Sequence, residues 1–245
     1  MKIKEIIKKN IPKKYLDPVL GLRRSILKRY TRKISYSQCG EDIIIEFLLR
    51  DVLKIKNITY LDLGAHHSSF LSNTYLFYKK GFQGVLIEPD FYLFEEIRKR
   101  RQRDIVLNFG VGISNENEAD FYVFNYTELN TFSKKTADET KGEATLEGII
   151  KVPLVTVNDI LEKYCKICPS FISVDIEGLD LDIVKTLDFK KWRPAALCIE
   201  TIRHSDRQKI QEITDILIMN NYEVYAETYI NTIYVNKDLK ISEIR

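Results

Sequence analysis

Short apolar runs alternate with amphipathic stretches along most of the chain. Continuous apolar runs of strand length predict five buried strands, at residues 60–63, 84–88, 105–109, 170–174 and 195–199. Apolar residues at helical spacing predict helices at residues 43–53, 70–80, 91–101, 156–163, 181–187 and 210–219. Strands that alternate with helices and are apolar on both faces predict an α/β fold, in which helices cover both sides of a mainly parallel sheet.

Other segments extend this pattern. Residues 121–124 and 150–155 predict short strands, and residues 222–227 and 232–235 predict a terminal antiparallel hairpin. The stretch 126–148 is polar and has little periodicity, so it is predicted to be a long loop that is either disordered or a lid over a site.

Length and charge divide the chain into a body and an appendage. With 245 residues and 44% hydrophobic content the chain can bury a full core. Residues 1–34 contain twelve Lys or Arg against Glu5 and Asp17, a local charge of +10, so the net charge of +3 leaves the remainder at −7. We therefore predict a basic amphipathic helical arm, 1–34, and one domain, 35–245. The arm would lie on an anionic membrane surface, or pack on the body or on a second subunit of a homo-oligomer.

No membrane span or export signal is expected. The apolar runs are of strand or helix length and are interrupted by charges, and the N-terminus lacks a long apolar core. The expected location is the cytoplasm, with peripheral attachment to the inner face of the membrane as an option for the arm. The pair Cys165 and Cys168 forms a single C-x-x-C, which we interpret as ordinary thiols because a four-ligand zinc site normally uses two such pairs.

Acidic residues stand at the carboxyl ends of predicted strands. Glu88, Asp175 and Glu200 each follow a strand, and Asp62 lies near the end of the first. Ligands of open parallel sheets collect at this edge. Gly64 permits a close turn, but the third glycine of a phosphate-binding loop is missing, which favours a nucleoside without phosphates as the ligand. Glu88 could accept hydrogen bonds from two ribose hydroxyls or could cap the next helix, and we favour the ribose.

Five motifs in order resemble one enzyme family. The motifs are 36–42 (YSQCGED), 61–67 (LDLGAHH), 71–75 (LSNTY), 81–90 (GFQGVLIEPD) and 174–180 (VDIEGLD). Through this ordered set the chain resembles the FkbM-type S-adenosylmethionine-dependent methyltransferases over roughly residues 35–201. The resemblance implies a Rossmann-like class I methyltransferase fold with a seven-stranded sheet, S-adenosylmethionine as methyl donor, and O-methylation, often of sugars or small secondary metabolites.

The resemblance also implies a donor-binding set. Its first motif supplies Asp62, Gly64 and Ala65, with His66 and His67 in place of the more widespread acidic-glycine pair. Glu88, followed by Pro89, matches the ribose acid.

Two further motifs complete this set. Ser72 and Asn73 are expected at the start of the next helix, facing the methionine carboxylate. Gln38, Glu41 and Asp42 match the opening motif, which would fold over the donor, although Glu41 or Asp42 could instead cap the helix that begins near Ile43.

Catalysis is expected to need a base, because a sugar hydroxyl is a poor nucleophile. Asp175 and Glu177, which match the Asp-x-Glu-Gly motif beside the methyl group, are the first candidates, followed by His204 and then His66. A minority hypothesis has Mg²⁺ bound by Asp175, Glu177 and Glu200, where it would lower the hydroxyl pKa.

The expected acceptor is a hydroxyl of a sugar, nucleotide sugar or glycan, in surface-polysaccharide or secondary-metabolite biosynthesis. A non-catalytic donor-fold scaffold and a nicotinamide-dependent oxidoreductase are the alternatives. Nucleic acid is not expected as a partner, because the body is acidic and no Asn-Pro-Pro-Tyr-like motif follows the fourth strand.

Overall fold

A computed structural model describes residues 33–113, 117–140, 142–176, 178–203 and 207–239. Residues 35–245 form one compact unit. The basic arm that the sequence predicts lies outside the described residues, apart from its last two positions.

A seven-stranded sheet forms the centre of this unit. Its order is β3-β2-β1-β7-β8-β10-β9, in which the first five strands are parallel and β10 is antiparallel to both of its neighbours. The mainly parallel sheet and the terminal hairpin are thus confirmed. The strands of this sheet are β1 (Thr59–Leu63), β2 (Gln83–Ile87), β3 (Ile105–Leu107), β7 (Phe171–Val174), β8 (Ala196–Glu200), β9 (Tyr222–Glu227) and β10 (Asn231–Asn236).

Helices pack on both faces of the sheet, as predicted. Leu61 and Leu63 belong to the core under α5, α6 and α7, whereas Tyr60 belongs to the core under α1, α2 and α3, as the two-residue period of a strand requires. These helices are α1 (Glu41–Glu46), which continues as a π-helical segment (Phe47–Val52), α2 (Tyr75–Lys79), α3 (Phe91–Arg100), α5 (Val157–Tyr164), α6 (Asp180–Thr186) and α7 (Gln211–Met219). None of the described helices is long and apolar enough to cross a membrane.

The stretch 126–148, predicted as a long loop that is either disordered or a lid over a site, has secondary structure of its own. It contains a 3₁₀ turn (Thr127–Leu129) and α4 (Lys134–Thr140), and it runs into a long strand, β6 (Leu146–Thr156). This strand lies between β4 (Gly110–Gly112) and β5 (Glu118–Phe124) in a second sheet. Pairing with β5 satisfies the backbone hydrogen bonds of β6, including those of residues 146–149, which precede the strand predicted at 150–155.

The helix predicted at 70–80 is only five residues long. Leu71 has φ of +54°, a left-handed conformation that interrupts helical geometry, and α2 begins at Tyr75. The Ser72 hydroxyl accepts a hydrogen bond from the Tyr75 backbone N–H at 3.2 Å. Residues 66–74 therefore form an irregular segment between β1 and α2.

A buried polar network anchors this irregular segment. The fully buried Arg101 donates from Nε to Asp104 Oδ2 at 2.7 Å and from a terminal nitrogen to Thr74 Oγ1 at 2.9 Å. Thr74 in turn donates to Asp62 Oδ2 at 2.6 Å. The chain leading into α2 is thereby fixed to both β1 and the end of α3.

Candidate active site

Four residues form a row along the carboxyl edge of the sheet. Leu63 pairs with Ile87 of β2 and with Val174 of β7, and Val174 pairs with Ile199 of β8. The next residues are therefore neighbours in the order Glu88, Gly64, Asp175, Glu200. With strands about 4.8 Å apart, the Glu88 and Asp175 backbones are about 10 Å apart.

Gly64 allows the ends of β1 and β7 to approach each other closely. Its φ is +80°, and a Cβ built on it would lie 1.9 Å from the Asp175 carbonyl oxygen. Side chains do not fit at that separation, so glycine is required here both for its conformation and for the close approach of β1 to β7.

A cavity of about 310 Å³ lies over this row. That volume is at the lower end of the range for small-molecule sites, and a cavity of mixed polar and apolar lining is typical of them. All four residues of the row contribute to the lining, as do the predicted residues Gln38, His66 and Pro89. The lining also contains many apolar residues, among them Leu71, Ile87, Leu93, Phe109, Val111, Phe121, Leu129 and Phe132.

Glu88 is held rigidly at one end of the cavity. Its Oε2 accepts from the His66 backbone N–H at 2.7 Å, and its Oε1 accepts from the Asp90 backbone N–H at 2.8 Å. Each oxygen keeps a lone pair for a further donor, which suits two adjacent hydroxyls. Burial raises the pKa of Glu88 to about 8, against the opposing effect of those two hydrogen bonds. The other role considered for Glu88, capping the helix that follows, belongs to Asp90. The Asp90 side chain accepts from the backbone N–H groups of Tyr92 and Leu93 at the start of α3.

Of the two adjacent histidines, His66 lines the cavity and His67 lies beside it in the chain. His66 has φ of +54°, and its Nε2 lies 3.0 Å from Thr127 Oγ1. Burial, reinforced by the neighbouring His67 ring, lowers the pKa of His66 to about 4, so this imidazole is neutral at physiological pH. His67 is half-buried, and its Nδ1 lies 3.1 Å from Glu96 Oε2.

Asp62 and Ala65 contribute to the support beneath the cavity. Neither is among the lining residues. Asp62 is buried and bonded to Thr74, and burial raises its pKa to about 6. Ala65 is buried, and its backbone N–H donates to the Ile87 carbonyl at 3.0 Å.

Ser72 and Asn73 are likewise buried beneath the cavity instead of lining it. Asn73 Nδ2 donates to Ser173 Oγ at 3.0 Å, which connects the irregular segment to β7. Both residues precede α2, so the prediction that they lie at the start of that helix is wrong by two or three positions.

The opening motif contacts the connection between β9 and β10. Glu41 Oε1 accepts from Thr228 Oγ1 at 2.5 Å and from Asn231 Nδ2 at 3.1 Å, and Oε2 accepts from the Cys39 backbone N–H at 2.8 Å. Asp42 Oδ2 accepts from the Tyr36 backbone N–H. Only Gln38 of the three candidates in this motif lines the cavity.

Two catalytic candidates, Glu177 and His204, lie outside the described residues. Sequence inspection missed the contribution of Arg207 to the lining, and it included residues 127–132 only in a stretch predicted to be either disordered or a lid over a site. Asn130 connects residues 127–132 to two other segments: its Oδ1 accepts from the Phe124 backbone N–H at 2.8 Å, and its Nδ2 donates to Asp90 at 3.3 Å. An asparagine in a polar stretch gives no signal of such a long-range contact.

The cysteine pair shows no sign of reactive thiols. Burial raises the pKa of Cys165 to about 11 and also raises the pKa of Cys168. High thiol pKa values disfavour the thiolate that redox chemistry needs.

Comparisons with known proteins place this fold and site in a family. The family model described as the methyltransferase FkbM domain matches residues 62–224, more than half of the chain. Comparison with curated proteins gives no match.

Solved structures with similar folds include two methyltransferases. A putative caffeoyl-CoA O-methyltransferase from Staphylococcus aureus is 9% identical, with a TM-score of 0.44, over 91% of this chain and 98% of that one. An O-methyltransferase from Bacillus cereus in complex with SAH is 13% identical, with a TM-score of 0.41, over 94% of each chain. At these identities the two structures bear on neither acceptor nor mechanism. The family match, by contrast, spans the glycine turn, Glu88 and Asp175, and the chain therefore belongs to the FkbM methyltransferase family and is an S-adenosylmethionine-dependent methyltransferase.

Proposed function

We propose that this methyltransferase transfers the methyl group to a hydroxyl of a sugar, nucleotide sugar or glycan. The observation that carries the proposal is the row of carboxyl groups along the cavity. Glu88 lies at one end, and Asp175 and Glu200 lie beyond Gly64 on adjacent strands. Carboxylates accept hydrogen bonds from hydroxyls, so one end of the row suits ribose and the other suits a polyhydroxylated acceptor.

The residues present fit the donor. The buried Glu88 carboxylate would accept the ribose hydroxyls, and apolar residues of the lining such as Leu93 and Phe109 would face the adenine. When bound, S-adenosylmethionine supplies an electrophilic methyl group on a positively charged sulfur. Glu88 is already oriented by two backbone N–H groups, so little reorganisation is needed on binding.

Asp175 is the proposed proton acceptor. It lines the cavity two strand spacings from Glu88, where it would hold the acceptor hydroxyl and take its proton during transfer. Glu177 and His204 remain sequence-based candidates for the same role. Arg207, also in the lining, would attract a phosphate if the acceptor is a nucleotide sugar.

Mg²⁺ bound by Asp175, Glu177 and Glu200 is the alternative to a general base. The two mechanisms differ in one measurement. If Mg²⁺ is required, its addition restores turnover to chelator-treated enzyme, whereas a general base predicts the same turnover with and without added Mg²⁺.

The acceptor test uses labelled donor with a panel of nucleotide sugars, glycan fragments, catechols and small amines. Label in a sugar product supports the proposal. Transfer only to an amine or a catechol would refute it.

The role of Asp175 is tested by Asp175→Asn, with Glu200→Gln as the matched carboxylate-to-amide control. We expect Asp175→Asn to lower kcat by about 10²- to 10⁴-fold with little change in donor affinity. A kcat for Asp175→Asn equal to that of the parent protein would remove Asp175 from the base role.

A further inference from the structure

His66, His67 and Glu128 lie close together, and His66 and Glu128 line the cavity. One ring nitrogen of each histidine and a carboxylate oxygen of Glu128 all lie within 4.8 Å of one another. Ligand atoms about 2.0–2.1 Å from a tetrahedral metal are about 3.3 Å apart, so side-chain rotations alone would bring these atoms to metal-binding distance. The His66–Thr127 contact already holds the residue before Glu128 against the His66 ring.

Glu96 gives an independent sign of a metal-binding arrangement. Its Oε2 lies 3.1 Å from His67 Nδ1, and its Oε1 accepts from Ser68 Oγ at 2.8 Å. An ionised carboxylate only accepts hydrogen bonds, so this contact places a proton on Nδ1 of His67, and in the neutral ring Nε2 then carries the lone pair that a metal needs. Histidine ligands of metals are typically oriented in this way, by a carboxylate on the ring nitrogen that does not bind the metal.

We infer that His66, His67 and Glu128 bind a divalent transition-metal ion of the Zn²⁺ or Co²⁺ type. Two imidazoles and one carboxylate suit such ions, whereas Mg²⁺ prefers oxygen ligands alone. The site is separate from the oxygen-ligand hypothesis for Asp175, Glu177 and Glu200. It also does not depend on which acceptor the enzyme uses.

The ion would join two parts of the cavity wall. His66 belongs to the turn after β1, and Glu128 belongs to the 3₁₀ turn (Thr127–Leu129); both line the cavity. Metal binding is therefore expected to fix the 3₁₀ turn (Thr127–Leu129) over the donor site. It should raise the melting temperature of the protein and the affinity for S-adenosylhomocysteine.

The experiment titrates the chelator-treated full-length protein with Co²⁺ and Zn²⁺. We expect one Co²⁺ per chain, with visible d–d absorption and without the near-ultraviolet charge-transfer band that thiolate ligands produce. His67→Ala should abolish binding, and Glu128→Gln should weaken it. Because Glu128 is exposed, the second variant remains informative if the first fails to fold.

Glu96 and its neighbour provide a matched pair of variants. Glu96→Gln should weaken Co²⁺ binding by about 10- to 100-fold, because the tautomer of His67 is no longer fixed. Glu95→Gln, on the same helix but paired with Arg98, should leave the affinity unchanged.

Three results would overturn the inference. They are the absence of stoichiometric binding, binding that survives both His67→Ala and Glu128→Gln, and a thiolate charge-transfer band, which would assign the ion to cysteines. None of these readouts needs an acceptor, so they are independent of the proposed sugar substrate.

Discussion

Replacing Gly64 by alanine tests whether the close contact between β1 and β7 shapes the donor site. The new Cβ would lie 1.9 Å from the Asp175 carbonyl oxygen, whereas real Cβ atoms essentially never come closer than 3.0 Å. The two strand ends must therefore separate by more than an ångström. Gly81→Ala is the matched control, because Gly81 has φ of +92° but a Cβ added there would meet no atom within 4 Å.

The two variants separate the cost of conformation from the cost of contact. A left-handed conformation costs an L-residue about 1–2 kcal/mol, which is the loss expected for Gly81→Ala. Forced separation of packed groups adds about 1–3 kcal/mol, so Gly64→Ala should lose about 2–5 kcal/mol of unfolding free energy. A shift of this size between Gly64 and Asp175 should also weaken donor binding by at least about tenfold.

Urea denaturation and calorimetric titration with S-adenosylhomocysteine measure the two effects. We expect Gly81→Ala to bind the product with the affinity of the parent protein. Equal stability losses in the two variants, together with equal product affinities, would refute the close contact as the reason for glycine at position 64.

Three further substitutions test the buried polar groups. Between pH 4 and 6 the unfolded chain loses most of the Asp62 proton while the folded protein largely keeps it, so this residue makes stability fall as pH rises. Asp62→Asn should remove about 2 kcal/mol of the fall measured by denaturation at the two pH values, and an identical pH profile would contradict the burial effect. Arg101→Met leaves Asp104 buried without its cation and should cost about 3–5 kcal/mol in urea denaturation, so a loss below about 1 kcal/mol would contradict the pairing. Glu41→Gln should cost about 1–2 kcal/mol through its contact with Thr228 and leave product affinity unchanged; a fall in affinity without a fall in stability would return Glu41 to the donor-binding set.

The sheet and its functional edge could be predicted because their signals are local. A parallel strand buried on both faces needs a continuous apolar run, and the residue after that run comes to the carboxyl edge whatever the rest of the chain does. Glu88, Asp175 and Glu200 were identified in this way, and the structure places all three in the cavity lining.

The second sheet could be predicted only in part: the strands predicted at residues 121–124 and 150–155 are confirmed within β5 and β6, whereas β4 and the full length of β6 depend on contacts distant in sequence. β6 begins at Leu146, four residues before the predicted strand, and these added residues pair with residues 122–124 of β5. Gly110 in β4 has no side chain, and a Cβ there would lie 2.3 Å from Phe132. Neither a glycine nor a phenylalanine in isolation indicates that these two remote segments meet.

The residues matched to the donor motif divide into two groups with different physical roles. Gly64 and Glu88 line the cavity, whereas Asp62 bonds to Thr74 and Asn73 bonds to Ser173. The second group spans an irregular segment that has few helical hydrogen bonds of its own, so these side chains replace the missing backbone contacts. Their loss would act on the donor through displacement of the turn at residues 64–67. Polar residues shared with a family motif can therefore preserve the shape of a site without lining its cavity.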